Sequence, residues 1–402
     1  MKGWKEVRIG DIFEIKAGGD LQEANYSPCR TDHARWVIYA NSLENKGLYG
    51  YTSQPRFRGN AVTITGRGEV GHAEFRDEDF DAIVRLLVLL PKVDVDCRYI
   101  TYYINSFVHF PIESTGVPQL TAPKVKRIKI NLPQLKAEQT AIANILSKVD
   151  EAITSVQNSI AAAERLKKSL MQNLLTGKMK PDGTFRTPEE FYIDEKLGKV
   201  PIGWEVKKLK DIAQIQRGKF GHRPRNDERF YNGDFPFVQT GDVVESVFFL
   251  KGASQSLNAL GASVSRSFPV NTIIMTIAAN IGFVALTRYE VFFPDSLIGI
   301  NAKEDVINPS YLLLHLMRYK NILDAQATES AQKNINYSNL RPLPILFPTK
   351  KEEQLQITNK VIAIFSEIDS KKTKIKILEQ LKKSLMQNLL TGKIKLINNN
   401  VI

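Results

Sequence analysis

Thirteen consecutive residues occur twice in this chain without a change. Leu166 to Lys178 reads LKKSLMQNLLTGK, and Leu381 to Lys393 reads the same 215 positions later. A match of that length marks an internal duplication, so the chain has to fold as two related halves. The likeness continues upstream. Gly3-Trp4, Asp11-Ile12, Ile15 and Gly18 match Gly203-Trp204, Asp211-Ile212, Ile215 and Gly218 at an offset of 200. Thr65 and Gly71 match Thr276 and Gly282 at 211, and Pro133, Glu138, Gln139 and Ile142 match Pro348, Glu353, Gln354 and Ile357 at 215. The growing offset places insertions in the second copy between about residues 244 and 345. The ends of the copies are alike and their middles differ.

Each middle reads as short strands separated by turn signals. Ala61–Thr65 and Ile83–Leu90 are predicted strands in the first copy, and Thr272–Ile277 and Phe283–Leu286 in the second. Short helices are predicted over Arg98–Phe107 and Ser310–Tyr319. Each copy then enters a long helix after Pro133 or Pro348. In the first, Ile142, Leu146, Val149, Ile153, Val156, Ile160, Ala163, Lys167, Leu170 and Leu174 alternate steps of four and three. The second gives Ile357, Val361, Ile364, Ile368, Lys371, Ile375, Leu378, Lys382, Leu385 and Leu389. This is a heptad seam. A helix from about Ala137 to Thr176 would be ~60 Å long at ~1.5 Å per residue, with Gly177 and Gly392 as natural stops. With one apolar stripe on each helix, the expected partner is the other helix. Lys167 and Lys382 interrupt the stripe at equivalent places, either to fix register or to snorkel from its edge. Between the copies, Met179 to Gly203 is a connector rich in Pro and Gly, with Phe185, Phe191 and Tyr192 to order part of it.

The seam explains Leu170 and Leu174 but not the identity of Lys168, Ser169, Gln172, Asn173 and Thr176. Because the middles have diverged, the second constraint is read as an external partner that meets the same surface twice. Lys168, Gln172 and Asn173, with Lys383, Gln387 and Asn388, are the predicted partner-binding residues.

The chain of 402 residues carries a net charge of +12, which favours a polyanionic partner. Residues 348–402 hold 11 basic and 5 acidic side chains. At 43% hydrophobic and 24% charged residues, with a mean hydropathy of −0.22, the composition is that of a globular protein. No apolar run approaches the ~18 residues of a membrane span. The start lacks the apolar stretch of a secretory signal. Cys29 and Cys97 form no C-x-x-C, which fits a reducing compartment. A cytoplasmic location is expected.

Signatures of catalysis are missing. Thr176-Gly177-Lys178 lacks the upstream glycine of a phosphate-binding loop. Gly66, Gly68 and Gly71 have the spacing G-x-G-x-x-G, but the counterpart Thr276–Gly282 lacks the first two glycines, so the segment reads as a turn. Asn308-Pro309-Ser310-Tyr311 lacks the second proline of the adenine methyltransferase loop N-P-P-Y and reads as a helix cap. His33, His72, His109, His222 and His315 form no metal-ligand pair. A binder is expected, with no cofactor, metal or catalytic residue of its own.

This arrangement resembles the specificity subunit of a type I restriction–modification system. The resemblance covers essentially the whole chain. Val200-Pro201-Ile202-Gly203-Trp204-Glu205-Val206, leading to Leu209, Asp211 and Ile212, is similar to the phrase that opens the family's domains. Leu132-Pro133 with Glu138-Gln139, and Phe347-Pro348 with Glu353-Gln354, are similar to the phrase that closes them. The helix ends in LLTGK resemble the family's repeated helices. The resemblance implies an α+β chain with an internal pseudo-twofold repeat. Two β-rich target-recognition domains (1–133 and 204–348) would be separated by two long antiparallel coiled-coil helices (134–178 and 349–395), with a connector (179–203) and a tail (396–402). It also implies a non-catalytic subunit that reads a bipartite, asymmetric site on double-stranded DNA, one half per domain. Two methyltransferase subunits would dock on the repeated helices, and restriction–translocase subunits would join through them. A coiled-coil scaffold that does not read DNA is the alternative.

Reading residues should be polar or basic and should differ between copies. Arg56, Arg58, Arg67 and Gln119 fit in the first copy. Lys219, His222, Arg223, Arg225, Gln332, Lys333 and Asn334 fit in the second. Arg can pair guanine, and Gln or Asn adenine, while each residue could equally meet only phosphate.

Overall fold

The computed structural model describes residues 3–110, 119–195, 198–222, 225–278, 280–328 and 335–396. It forms two compact units, Met1–Gln157 with Thr373–Ile402, and Asn158–Lys372. The division falls inside both long helices, Lys136–Leu174 and Lys351–Leu389. Each unit therefore holds one β-rich domain, the start of the helix that follows it, and the end of the helix that belongs to the other copy.

The shared phrases turn out to be neighbouring strands. In the first unit Trp4–Arg8 pairs antiparallel with Lys129–Pro133, with Trp4 opposite Pro133. In the second, Trp204–Lys208 pairs with Pro344–Pro348, with Trp204 opposite Pro348. Above each ribbon lies a four-stranded sheet of the same topology. Its order is Phe13–Ala17, Leu87–Pro91, Ala61–Ile64, Ala73–Arg76 in the first unit, and Ala213–Arg217, Leu297–Ala302, Ile273–Thr276, Val284–Leu286 in the second. A second sheet differs between them. Trp36–Tyr39 runs parallel to Phe80–Ala82 in the first unit, as Tyr231–Phe237 does to Val291–Phe292 in the second. The outer strands are then added differently, Leu48–Thr52 and Tyr26–Ser27 against Gln255–Leu257 and Ser267–Phe268.

The expected strand Ile83–Leu90 is only half a strand. Val84 and Arg85 adopt φ of 53° and 61°, and pairing resumes at Leu87–Pro91. The chain has to turn here because Phe80–Ala82 belongs to one sheet and Leu87–Pro91 to the other. An apolar run without glycine conceals such a turn.

Each domain also carries a capped helix. Asp96 accepts from Arg98 N at 2.9 Å and Tyr99 N at 3.3 Å to open Cys97–Phe107. Asn308 accepts from Ser310 N at 2.9 Å and Tyr311 N at 3.2 Å to open Pro309–Thr328, as the cap reading expects. The buried glutamines of the closing phrase lock these caps to the ribbon. Gln139 accepts from Asp96 N at 3.0 Å and donates to Pro133 O at 2.8 Å. Gln354 accepts from Asn308 N at 2.7 Å and donates to Pro348 O at 2.9 Å. Their recurrence thus has a hydrogen-bonding cause.

The long helices each run 39 residues, about 58 Å at ~1.5 Å per residue. Every seam position is buried or half-buried. In the second unit Lys167 Nζ lies 5.0 Å from the Phe365 ring, and Lys372 Nζ lies 3.7 Å from Glu164 Oε1. In the first unit Lys382 Nζ meets Asp150 Oδ1 at 2.6 Å. Lys167, which also pairs with Glu164, and Lys382 are half-buried and paired rather than merely snorkelling.

The repeated segment has a role beyond the seam. Leu174 and Leu175 are fully buried in one core with Trp204, Leu209 and Ile345. Leu389 and Leu390 are buried in the equivalent core with Trp4, Ile9 and Ile130. Each 13-residue segment therefore seats against the base of the domain from the other copy. The sister helix is not its only partner, as the sequence pattern suggested. Burying such a leucine contributes ~1.5–3 kcal/mol.

Candidate nucleic-acid interface

In the first domain the structure brings Arg67 and Gln119 together as opposite residues of an isolated antiparallel bridge. The loop that carries Arg67 is the glycine-spaced turn. Gly71 N donates to Thr65 O at 2.8 Å, as Gly282 N does to Thr276 O at 2.9 Å in the other copy. Gly71 and Gly282 have φ of 97° and 79°, so the repeated glycines serve a left-handed turn position. Asn41, which sequence reasoning missed, pins the loop. Its Oδ1 accepts from Gly66 N at 2.5 Å and Arg67 N at 3.2 Å, and its Nδ2 donates to Arg67 O at 2.5 Å. The Arg67 side chain is exposed and has no ion pair among the described residues, and the same holds for Arg58. Arg56 differs. Its Nε donates to the buried Asp81 at 2.5 Å and its Nη2 to the carbonyls of Asp20 and Ala82 at 3.2 and 3.1 Å. Most of its fork is engaged in holding the fold.

In the second domain Lys219 is exposed with no ion pair among the described residues, while its backbone N donates to Phe293 O at 3.0 Å. His222 stacks on Phe230 with centroids 4.2 Å apart, and its Nε2 lies 3.1 Å from Asp227 Oδ2. Asp227 also takes two hydrogen bonds from the Arg229 guanidinium, which holds its carboxyl far below the usual range. Arg225 pairs with Asp295. Arg223, Gln332, Lys333 and Asn334 lie outside the described residues. Beside Arg225 is an open cleft of about 410 Å³ lined by Asn226, Gln239 and Gln255 among others. Gln239 Nε2 donates to Gln255 Oε1 at 2.8 Å. Sequence reasoning missed these amides, which come from separate segments that only the fold brings together.

The predicted partner face is presented alike in both units. Lys168 and Gln172, and Lys383 and Gln387, are exposed. Asn173 and Asn388 are half-buried and donate to Ser169 and Ser384 at 3.3 and 3.5 Å. Their backbone carbonyls accept from Met179 N at 3.1 Å and Ile394 N at 3.2 Å, past glycines with φ of 67° and 68°. Helix termination thus accounts for part of the identity, and among the described residues the side chains of Lys168, Gln172, Lys383 and Gln387 make no hydrogen bond or ion pair. Among the described residues no group of His, Cys, Asp and Glu could hold a metal ion, and no helix is long and apolar enough to cross a membrane.

Two β-rich domains with a common base, divergent outer sheets and a repeated helix define a class that comparison identifies. The family described as type I restriction modification DNA specificity domain matches residues 1–165 and 201–383. The chain belongs to that family and carries its domain twice. It is 28% identical over 421 aligned positions to the type I restriction enzyme MjaVIII specificity subunit of Methanocaldococcus jannaschii, covering 99% of this chain and 94% of that one. In fold it is similar to the crystal structure of the type I restriction–modification S subunit from M. genitalium, with a TM-score of 0.67, 15% identity and 96% coverage of both chains. A second solved structure, from a study of complex assembly and conformational transition of the type I system, matches with a TM-score of 0.54 and 15% identity, over 98% of this chain and 99% of that one.

Proposed function

We propose that this chain is the non-catalytic, DNA-reading subunit of a type I restriction–modification complex. Each domain reads one half of a bipartite, asymmetric site. The observation that carries this reading is the distribution of likeness between the copies. The ribbon register, the strand order of the first sheet and the placing of the helix caps correspond between the copies, while the second sheet and its loops differ. A scaffold is held constant while the surface it presents varies, as two unlike half-sites require. Arg58, Arg67, Gln119 and Lys219 are the best-placed reading or phosphate-contacting groups, and Arg223, Gln332, Lys333 and Asn334 remain candidates. Arg56, His222 and Arg225 are engaged by acidic neighbours and would have to exchange them for DNA.

Two methyltransferase subunits dock on the repeated faces around Gln172 and Gln387, and restriction subunits join through them. The long helices act as a ruler. Four residues inserted after Ser155 and four after Ser370 lengthen each helix by ~6 Å, up to about two base pairs of spacer. An unchanged spacer would reject the ruler.

Methylation sequencing of the host genome with and without this gene tests the reading. Loss of adenine methylation at one two-part motif is the expected result. Unchanged methylation, together with no salt-dependent binding to duplex DNA, would leave a scaffold that does not read DNA.

A further inference from the structure

The two units treat one equivalent position differently. In the second unit Arg186, from the connector, is inserted beneath the domain. Its Nη2 donates to Glu353 Oε1 at 2.5 Å, and its Nη1 donates to Gly177 O at 2.8 Å and Met179 O at 3.4 Å. The guanidinium lies 5.4 Å from the Trp204 ring, and Trp204 Nε1 donates to the same Glu353 oxygen at 3.2 Å. By the repeat, Glu353, Trp204, Gly177 and Met179 correspond to Glu138, Trp4, Gly392 and Ile394 of the first unit.

In the first unit Trp4 Nε1 and Glu138 Oε1 are both buried, in residues 9% and 6% exposed, and neither has a hydrogen-bond partner among the described residues. Leaving a buried polar group unpaired is destabilising, and more so when it is charged. The chain beside them is also more exposed than its counterpart. Ile394 is 49% exposed where Met179 is 9%, and Leu396 next to it is exposed as well. In the second unit the connector lies over this place, with Pro201 packed on Gly177.

We propose that the first unit holds a binding site for an arginine side chain presented on an extended segment of a partner chain. Glu138 and Trp4 receive the guanidinium together with the carbonyls of Gly392 and Ile394, and Ile394 and Leu396 seat the segment's apolar residues. The chemistry selects arginine over lysine. A planar fork reaches a carboxylate and two carbonyls at once, and it lies against an indole, which a point-like ammonium does not. The apolar neighbours select a peptide over a free guanidinium compound. The inference does not depend on DNA reading.

The full chain has three tryptophans, Trp4, Trp36 and Trp204, so ¹⁵N-indole NMR resolves the site. The probe is a peptide of connector sequence 179–192, added to the intact protein. The expected result is a saturable shift of the Trp4 indole signal with Trp36 and Trp204 unmoved. The covalent connector should keep its own site through its high effective concentration. Versions of the peptide with Arg186→Ala or Arg186→Lys leave the protein untouched and should bind at least tenfold more weakly, as should the native peptide to a Glu138→Gln chain. A Trp4 signal that does not move, or that moves equally with the alanine peptide, overturns the arginine site. Methylguanidinium binding as tightly as the peptide overturns the partner-segment assignment.

Discussion

His315 should make the second unit acid-sensitive by an amount that can be worked out. It is 2% exposed on the helix Pro309–Thr328, with Nε2 3.3 Å from the Tyr311 hydroxyl. Burial, helped by the charge of Arg318, lowers its pKa from 6.5 to about 3. Among the described residues, the adjoining cavity of about 590 Å³ is lined by Lys178, Arg186, Lys199 and Arg318 and by no carboxylate. In the folded state the imidazole stays neutral down to about pH 3, whereas the unfolded chain takes up a proton near 6.5. Between those values the unfolded state binds more protons, so stability is complete above pH 6.5 and declines as pH falls. At pH 5 the gap is about 1.5 pH units, or ~2 kcal/mol at ~1.36 kcal/mol per unit. His315→Gln lowers stability at pH 7.5 but removes this term. Urea unfolding followed at the Trp204 indole, at pH 7.5 and 5.0, should show the native chain losing ~2 kcal/mol more than the variant. Equal losses in both would mean that the folded imidazole already carries a proton, and would refute the argument.

Gln354→Leu strips partners from Asn308 N and Pro348 O and should destabilise the second unit by roughly 2–5 kcal/mol; a loss under 1 kcal/mol in urea would deny the clamp. Leu390→Ala should cost ~2–5 kcal/mol in the first unit, read at the Trp4 signal, with the Trp204 transition unmoved. The pair Gln172→Glu and Gln387→Glu should leave unfolding unchanged and reduce co-purification with the methyltransferase subunits several-fold. Full retention would confine the repeated segment to packing. Arg67→Ala should weaken duplex binding about tenfold. A lower salt slope would indicate a phosphate contact, and relaxed preference at one base pair a base contact.

Much of the fold was legible because a duplication supplies its own alignment. The heptad seam, the glycine stops, the cap at Asn308 and the turn at Gly71 each depend on local chemistry, and local chemistry is written in adjacent residues. Three things were hidden. Leu175 lies outside the seam, so its burial beneath Trp204 depends on a tertiary contact that no periodicity announces. The turn at Val84-Arg85 is dictated by two sheets that must share one apolar run. Asn41 and Gln239 act through partners 25 and 16 residues away, at Gly66 and Gln255, and no local spacing announces those contacts. Among the reading candidates, sequence could rank residues by type but not by whether an acid already holds them. Only the geometry separates Arg56, tied to Asp81, from Arg58.

The seating of each repeated segment on the other copy's domain makes the domains interchangeable parts. One and the same 13-residue key has to fit two bases, so each base is held to a common standard while everything above it is free to drift. A foreign domain that kept the ribbon, the buried tryptophan and the closing Glu-Gln could be spliced into either position and would still find its key waiting. A whole domain can therefore be replaced as a cassette, without altering either repeated segment.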